Sequence, residues 1–220
     1  LSCFDSIIAH TPAMQELLIS SGISADRIHL LQLFDYLATP PPPSPLNYQE
    51  GAPREVCFAG NLGKSLFLPE LQQIVGADLH VLLYGVGLSE EVELSDELQF
   101  KGKFAPDDLT LLRGHYGLVW DGDSITTCTG RIGEYLKINA PHKASLYIAA
   151  GIPLIVWRHS AIAPYVLEHQ LGIAVDSLLE LPERLASIDI AQYTRYREAV
   201  QVEQMKITQG LHLRNIISAL

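Results

Sequence analysis

The chain has 220 residues, the length of one large domain or of one domain with a fragment of another. Apolar residues make up 48% and charged residues 18%, an ordinary balance for a globular protein, and a net charge of -10 with a pI near 5.2 excludes broad binding to the phosphate backbones of nucleic acids. Cys3, Cys57 and Cys128 are odd in number and form no CxxC or Cys/His cluster, which excludes a disulfide framework and a structural zinc site and fits a reducing cytoplasm. The sequence shows no apolar run of about 18 residues and no signal peptide.

Leu1 stands inside an apolar pattern, which reads as the interior of a longer protein. Phe4 to His10 predicts a buried strand. A helix follows from Thr11 or Pro12, carries Met14, Leu17 and Leu18 at helical spacing, and stops at Gly22. Arg27 to Leu31 predicts a second strand. Thr39 to Pro45 contains four successive prolines and predicts an extended spacer, either a surface loop or a hinge. The alternation then resumes. Strands are predicted at Glu55–Ala59, Leu79–Tyr84, Leu98–Gly102, Tyr116–Trp120, Pro153–Trp157 and Gly172–Val175. Helices are predicted at Ser65–Val75, Asp107–Arg113, Ala144–Ala150 and Ile162–His169, with one or two more over Ile190–Leu220. Repeated strand–helix units with apolar strands imply an α/β fold, a Rossmann-like parallel sheet with helices on both faces.

In such sheets ligands bind beyond the carboxyl ends of the strands, so the loops there are the candidates. Gly60-Asn61-Leu62-Gly63-Lys64-Ser65 is two residues short of a Walker A loop, and Phe58 stands where its first glycine belongs. Its two glycines and Lys64 still suit an anion at a helix start, or else a tight turn with a solvated lysine. Tyr84-Gly85-Val86-Gly87 could bring backbone near a ligand and otherwise is a simple turn. Gly102 to Pro106 could read a base edge with Phe104 beside the ring, or Phe104 anchors the loop in the core. Asp121-Gly122-Asp123 has the spacing of a carboxylate pair for a divalent ion, yet the same residues make good turns, and no metal is assigned. The strongest run is Asn139 to Pro153. There Lys143 begins a helix, where a cation is unfavourable unless an anion is also present. Free N–H groups of the helix start and the Lys143 charge together suit a diphosphate. Of His10, His115, His142 and His159, all near loops, only His142 is assigned a role, because it adjoins Lys143.

Pro141-x-Lys143 followed by Tyr147-Ile148-Ala149-Ala150-Gly151-Ile152-Pro153 resembles the donor site of GT-B glycosyltransferases. With Phe34-Asp35-Tyr36, Phe58-Ala59-Gly60-Asn61 and Gly117-Leu118-Val119-Trp120-Asp121, the chain resembles most the bacterial galactofuranosyltransferase and glucosyltransferase-3 group. The resemblance implies two Rossmann-like domains facing a cleft. Residues 1–39 would then be the tail of an incomplete N-terminal acceptor domain, 40–49 a Pro-rich linker, 50–190 the nucleotide-sugar-binding domain and 191–220 C-terminal helices crossing back to the first domain. It implies hexose transfer from a nucleotide diphosphate sugar, expected to be a UDP-sugar, to a hydroxyl on a glycan or glycoprotein, without metal or cofactor, in the cytoplasm or at the inner face of the bacterial membrane. A non-catalytic nucleotide-binding or partner-binding module of a transferase complex is the alternative. Donor-binding residues would be Gly60, Asn61, Lys64, Tyr84, Phe104, Asp121, Asn139, His142 and Lys143. The resemblance leaves open peripheral membrane contact and a homo-oligomer, and names no catalytic base. Many GT-B enzymes carry a glutamate three residues after the lysine; here it is Leu146.

Overall fold

The computed structural model describes residues 4–42 and 48–220. Cys3 and the Pro43-Ser44-Pro45 part of the predicted spacer lie outside them. The first residues make one strand–helix–strand unit. β1 (Ile7–Ala9) pairs in parallel with β2 (Ile28–Leu30) across α1 (Pro12–Ser20), with Ile7 opposite Ile28 and Ala9 opposite Leu30. α1 starts where the sequence requires. Thr11 is its N-cap, accepting from the Met14 amide at 3.2 Å, and Pro12 occupies the first turn, where a missing N–H does no harm.

The main sheet has six parallel strands: β3 (Arg54–Asn61), β4 (Leu79–Val86), β5 (Leu98–Phe100), β6 (Tyr116–Val119), β7 (Leu154–Trp157) and β8 (Gly172–Val175), in the order β5-β4-β3-β6-β7-β8. Successive residues of a strand point to opposite faces. Val56 and Phe58 join one apolar layer, and Cys57 and Ala59 the other. Both faces are therefore buried, which is why these strands read as continuous apolar runs. Helices follow as α2 (Gly130–Tyr135), α3 (His142–Ala149), α4 (Ala163–Glu168), α5 (Leu181–Ala186), α6 (Ile190–Thr208) and α7 (Leu211–Ala219). α3, α4 and the later half of α6 cover the Ala59 face. α5 and the first half of α6 cover the Phe58 face. No described helix is long and apolar enough to cross a membrane.

Two predicted helices are shorter and tighter than expected. Over Ser65–Val75 only Leu68–Gln73 is helical, as a 3-10 segment with Leu68, Leu71 and Ile74 buried. Their spacing of three matches the 3-10 repeat, and Pro69 removes one backbone donor. Over Asp107–Arg113 only Leu109–Leu111 is helical, a 3-10 turn capped by Asp108, which accepts from the Thr110 amide at 3.0 Å. α2 and α5 were not expected; six residues are too few to show a helical period. Tyr48, placed by sequence in the linker, is buried in the core and stacks on Tyr193 at 3.9 Å between centroids. The tail is two helices because Gly210, at φ 71°, breaks the run with a left-handed residue.

Candidate functional site

The strand order reverses between β3 and β6. From β3 the chain steps outward through β4 and β5, then returns to β6 and leaves in the other direction. β3 and β6 pair only at Val56–Tyr116 and Cys57–Gly117. Beyond that the Ala59 amide donates not to a strand but to the Tyr147 hydroxyl, at 2.8 Å. Tyr147 is fully buried, and its ring lies against Gly117, where a Cβ would come within 2.2 Å of the ring. A residue without a side chain in β6 thus lets α3 lie close on the sheet beside the place where the strands part.

Lys143 stands four residues before Tyr147, on the same helical face. Anchoring Tyr147 between the strands therefore carries Lys143 over their carboxyl ends. Its Nζ donates to Asp121 Oδ1 at 2.8 Å and to the Trp120 carbonyl at 3.2 Å, and sits 4.4 Å from the centre of the Phe58 ring. The Lys143 and Asp121 side chains are each only 17% exposed. Gly60, at φ 151°, completes the wall; a Cβ there would lie 3.4 Å from Lys143 Cε. An ammonium has three donors, so one remains beyond the two used here. α3 has no side-chain cap, and the amides of His142 and Lys143 lie outside its own hydrogen-bond ladder. A cation, free amides and a glycine at the end of β3 thus meet at the topological switch point of a parallel sheet, an arrangement suited to an anionic ligand.

The sequence profile of the glucosyltransferase 3-like C-terminal domain matches residues 56–220. The chain belongs to this family. Among its relatives, the β-1,6-galactofuranosyltransferase WbbI of Escherichia coli K12 is 32% identical over 222 residues, covering 99% of this chain and 63% of WbbI. Glucosyltransferase 3 of Streptococcus gordonii is 24% identical over 215 residues, covering 97% and 60%. This glucosyltransferase 3-like chain therefore spans about three fifths of the length of the relatives it matches. Among solved structures, HepE of Anabaena, determined in complex with UDP, superposes with a TM-score of 0.58 at 16% identity, covering 98% of this chain and 64% of HepE. The Rossmann-like parallel sheet expected from sequence is thus present.

Of the residues assigned to donor binding from sequence, the family's fold brings Gly60, Asp121 and Lys143 together. Asn61 and Lys64 lie on the same loop, with Lys64 exposed. The Asn61 amide oxygen packs near Gly63 and Gly87, whose backbones approach so closely that a Cβ at Gly63 would be 3.0 Å from the Gly87 carbonyl. The end of β4 and Gly87 just beyond it therefore support the first loop. The other four side chains turn elsewhere. Tyr84 is buried, and its hydroxyl accepts from the Arg113 amide at 3.2 Å; burial pushes its pKa up to about 12. Phe104 packs edge-on against Tyr84, with centroids 6.0 Å apart, so it serves as the loop's anchor in this structure. Asn139 Oδ1 lies 3.0 Å from His10 Nδ1, and His142 stacks on Phe34 at 4.1 Å. Both face the N-terminal unit rather than Lys143.

Asp121 and Asp123 do not converge. Asp121 turns to Lys143, while Asp123 lies beside Gly130, where a Cβ would fall 2.5 Å from its Oδ2. Sequence reasoning missed Tyr147, Gly117 and Phe58 as the parts that set Lys143 in place. The four-residue spacing of Lys143 and Tyr147 was the available signal. It also missed His10 and Phe34, whose contacts with residues 139 and 142 no local pattern announces.

Proposed function

We propose that this chain is the donor-binding half of a glycosyltransferase that moves a hexose from a UDP-sugar to a hydroxyl on a glycan or glycoprotein. The observation that carries the reading is Lys143, set at an uncapped helix start over the parting of β3 and β6. The galactofuranosyltransferase and glucosyltransferase names of its relatives and the UDP bound to HepE support it.

The difficult step is departure of the nucleoside diphosphate from an oxocarbenium-like carbon. As the bond breaks, negative charge grows on the diphosphate. Lys143 and the amides at the start of α3 supply positive charge already fixed in place, with the exposed Lys64 adding to it, and such preorganised electrostatics is commonly the largest catalytic contribution. This chemistry asks for no metal. The test is Lys143→Ala in the full-length protein. Loss of a charge-assisted contact, about 1.5–3 kcal/mol, raises the UDP dissociation constant about 10- to 100-fold. Unchanged UDP affinity and unchanged transfer overturn the assignment.

A further inference from the structure

Asp121 poses a problem for a diphosphate site. It is the anion that satisfies Lys143, at 2.8 Å, and among the described residues Lys143 has no other carboxylate partner. The pair is neutral as a unit. A diphosphate that approaches Lys143 therefore also approaches a fixed like charge, which weakens its binding. Removing the charge would strengthen the grip on the nucleotide, so the carboxylate must answer to another part of the ligand.

A carboxylate has two oxygens with about four acceptor positions. Oδ1 holds Lys143; Oδ2 has no hydrogen-bond partner among the described residues, although the side chain is only 17% exposed. Asp121 stands two residues after the end of β6, beside the one cation of the site that is fixed on three sides by Asp121 itself, the Trp120 carbonyl and the Phe58 ring. What such an oxygen lacks is a hydroxyl donor. In a nucleotide sugar two groups next to the diphosphate carry hydroxyl donors, the ribose and the sugar being transferred; the ribose stays on UDP, so only a contact to the transferred sugar lets the carboxylate tell donor from product.

We infer that Asp121 is a specificity-determining residue that accepts a hydroxyl of the donor sugar through Oδ2 while holding Lys143 through Oδ1. The inference rests on the proposed donor site. Its consequence is discrimination between donor and product. With the sugar present, a charge-assisted hydrogen bond offsets the repulsion. Once the sugar has left, the carboxylate faces the diphosphate of UDP without that compensation, and release of UDP is favoured.

The experiment is equilibrium titration of the full-length protein and its Asp121→Asn variant with UDP, UDP-glucose, UDP-galactose and UDP-galactofuranose, together with product inhibition by UDP. Asparagine keeps the shape and removes the charge. In the variant the preference for the best-bound sugar nucleotide over UDP falls about tenfold, and UDP becomes the stronger inhibitor. Asp121→Ser gives the same loss of preference and serves if the asparagine variant does not fold. Parallel loss of affinity for UDP and sugar nucleotides overturns the inference and makes Asp121 a ribose contact or a positioning residue for Lys143. An unchanged preference, or a wild-type protein that binds UDP as tightly as every sugar nucleotide, also overturns it while leaving the donor site standing. A wild-type protein that binds none of the four overturns the donor-site reading and this inference with it.

Discussion

Gly117 and Tyr147 fix how closely α3 lies on the sheet, and so where Lys143 reaches. A methyl at position 117 would need to share space with the Tyr147 ring, whose atoms lie 2.2–2.6 Å from the Cβ position. Neither partner can yield easily, because the ring is fully buried and its hydroxyl is held by the Ala59 amide. Gly117→Ala is expected to destabilise by about 1–3 kcal/mol through overpacking and to weaken UDP binding as Lys143 shifts. Tyr147→Phe leaves the ring in place but strands the Ala59 amide, at a cost of about 1–3 kcal/mol in urea unfolding. If the first variant keeps wild-type UDP affinity, the placement of Lys143 does not depend on this contact. Lys143 itself was legible in the sequence, since a cation at a helix start asks for an anion. That Asp121 is that anion was not, because the two lie 22 residues apart on separate elements.

At the scale of elements, α6 and α7 tie the main sheet to residues 31–37. The Asp35 carboxylate accepts from the amides of His212, at 3.2 Å, and Leu213, at 2.8 Å, at the start of α7, and the Tyr36 amide donates to the Ile207 carbonyl at 2.9 Å. Beneath this junction Glu203 is buried. It pairs with His212 and Lys206, each at 2.8 Å, and accepts from the Tyr165 hydroxyl at 2.8 Å. Burial alone would raise its pKa, but the hydrogen bonds from His212, Lys206 and Tyr165 outweigh burial and hold it down at about 2. The same bond to Glu203 raises the His212 pKa against the opposing effect of burial. The Glu203 contribution is therefore complete above its ordinary value near 4.5 and fades only as pH falls toward 2. The His212 contribution is complete below its ordinary value near 6.5 and fades as pH rises through its raised value. His212→Ala should destabilise by about 1–3 kcal/mol near pH 5.5 and by less near pH 9. A loss independent of pH would mean that the imidazole acts there only by packing. The sequence suggested that the tail crosses back; α6 and α7 contact residues 31–37 through polar partners far apart in the chain, which no periodicity reveals.

For the whole molecule, the donor reading predicts ligand-linked stability. UDP at one hundred times its dissociation constant adds about 2.7 kcal/mol, which raises the unfolding midpoint of a domain this size by about 5–10 °C. In the full-length protein the shift should exceed that given by ADP or GDP and should persist in EDTA, because Lys143 and the helix amides provide the positive charge. A shift that appears only with magnesium would move the diphosphate contact toward Asp121 and Asp123. Phe34, wedged between His10 and His142 at 4.4 and 4.1 Å, joins the N-terminal unit to the residue before Lys143, so the two parts meet beside the proposed site.

The sequence by itself determined the alternation of apolar strands and helices, the loops that lie at the strand ends, and Lys143 as the principal cation. These are local properties: periodicity, turn chemistry and a charge at a helix start all act within a few residues. The tertiary structure alone decided the strand order that places the switch point between β3 and β6, and with it which loops meet. It joined Lys143 to Asp121, turned Asn139 and His142 toward His10 and Phe34, and sent Tyr84 and Phe104 into packing. Such choices depend on which distant side chains share one space after the sheet has closed, and a pattern of neighbours along the chain does not contain that information.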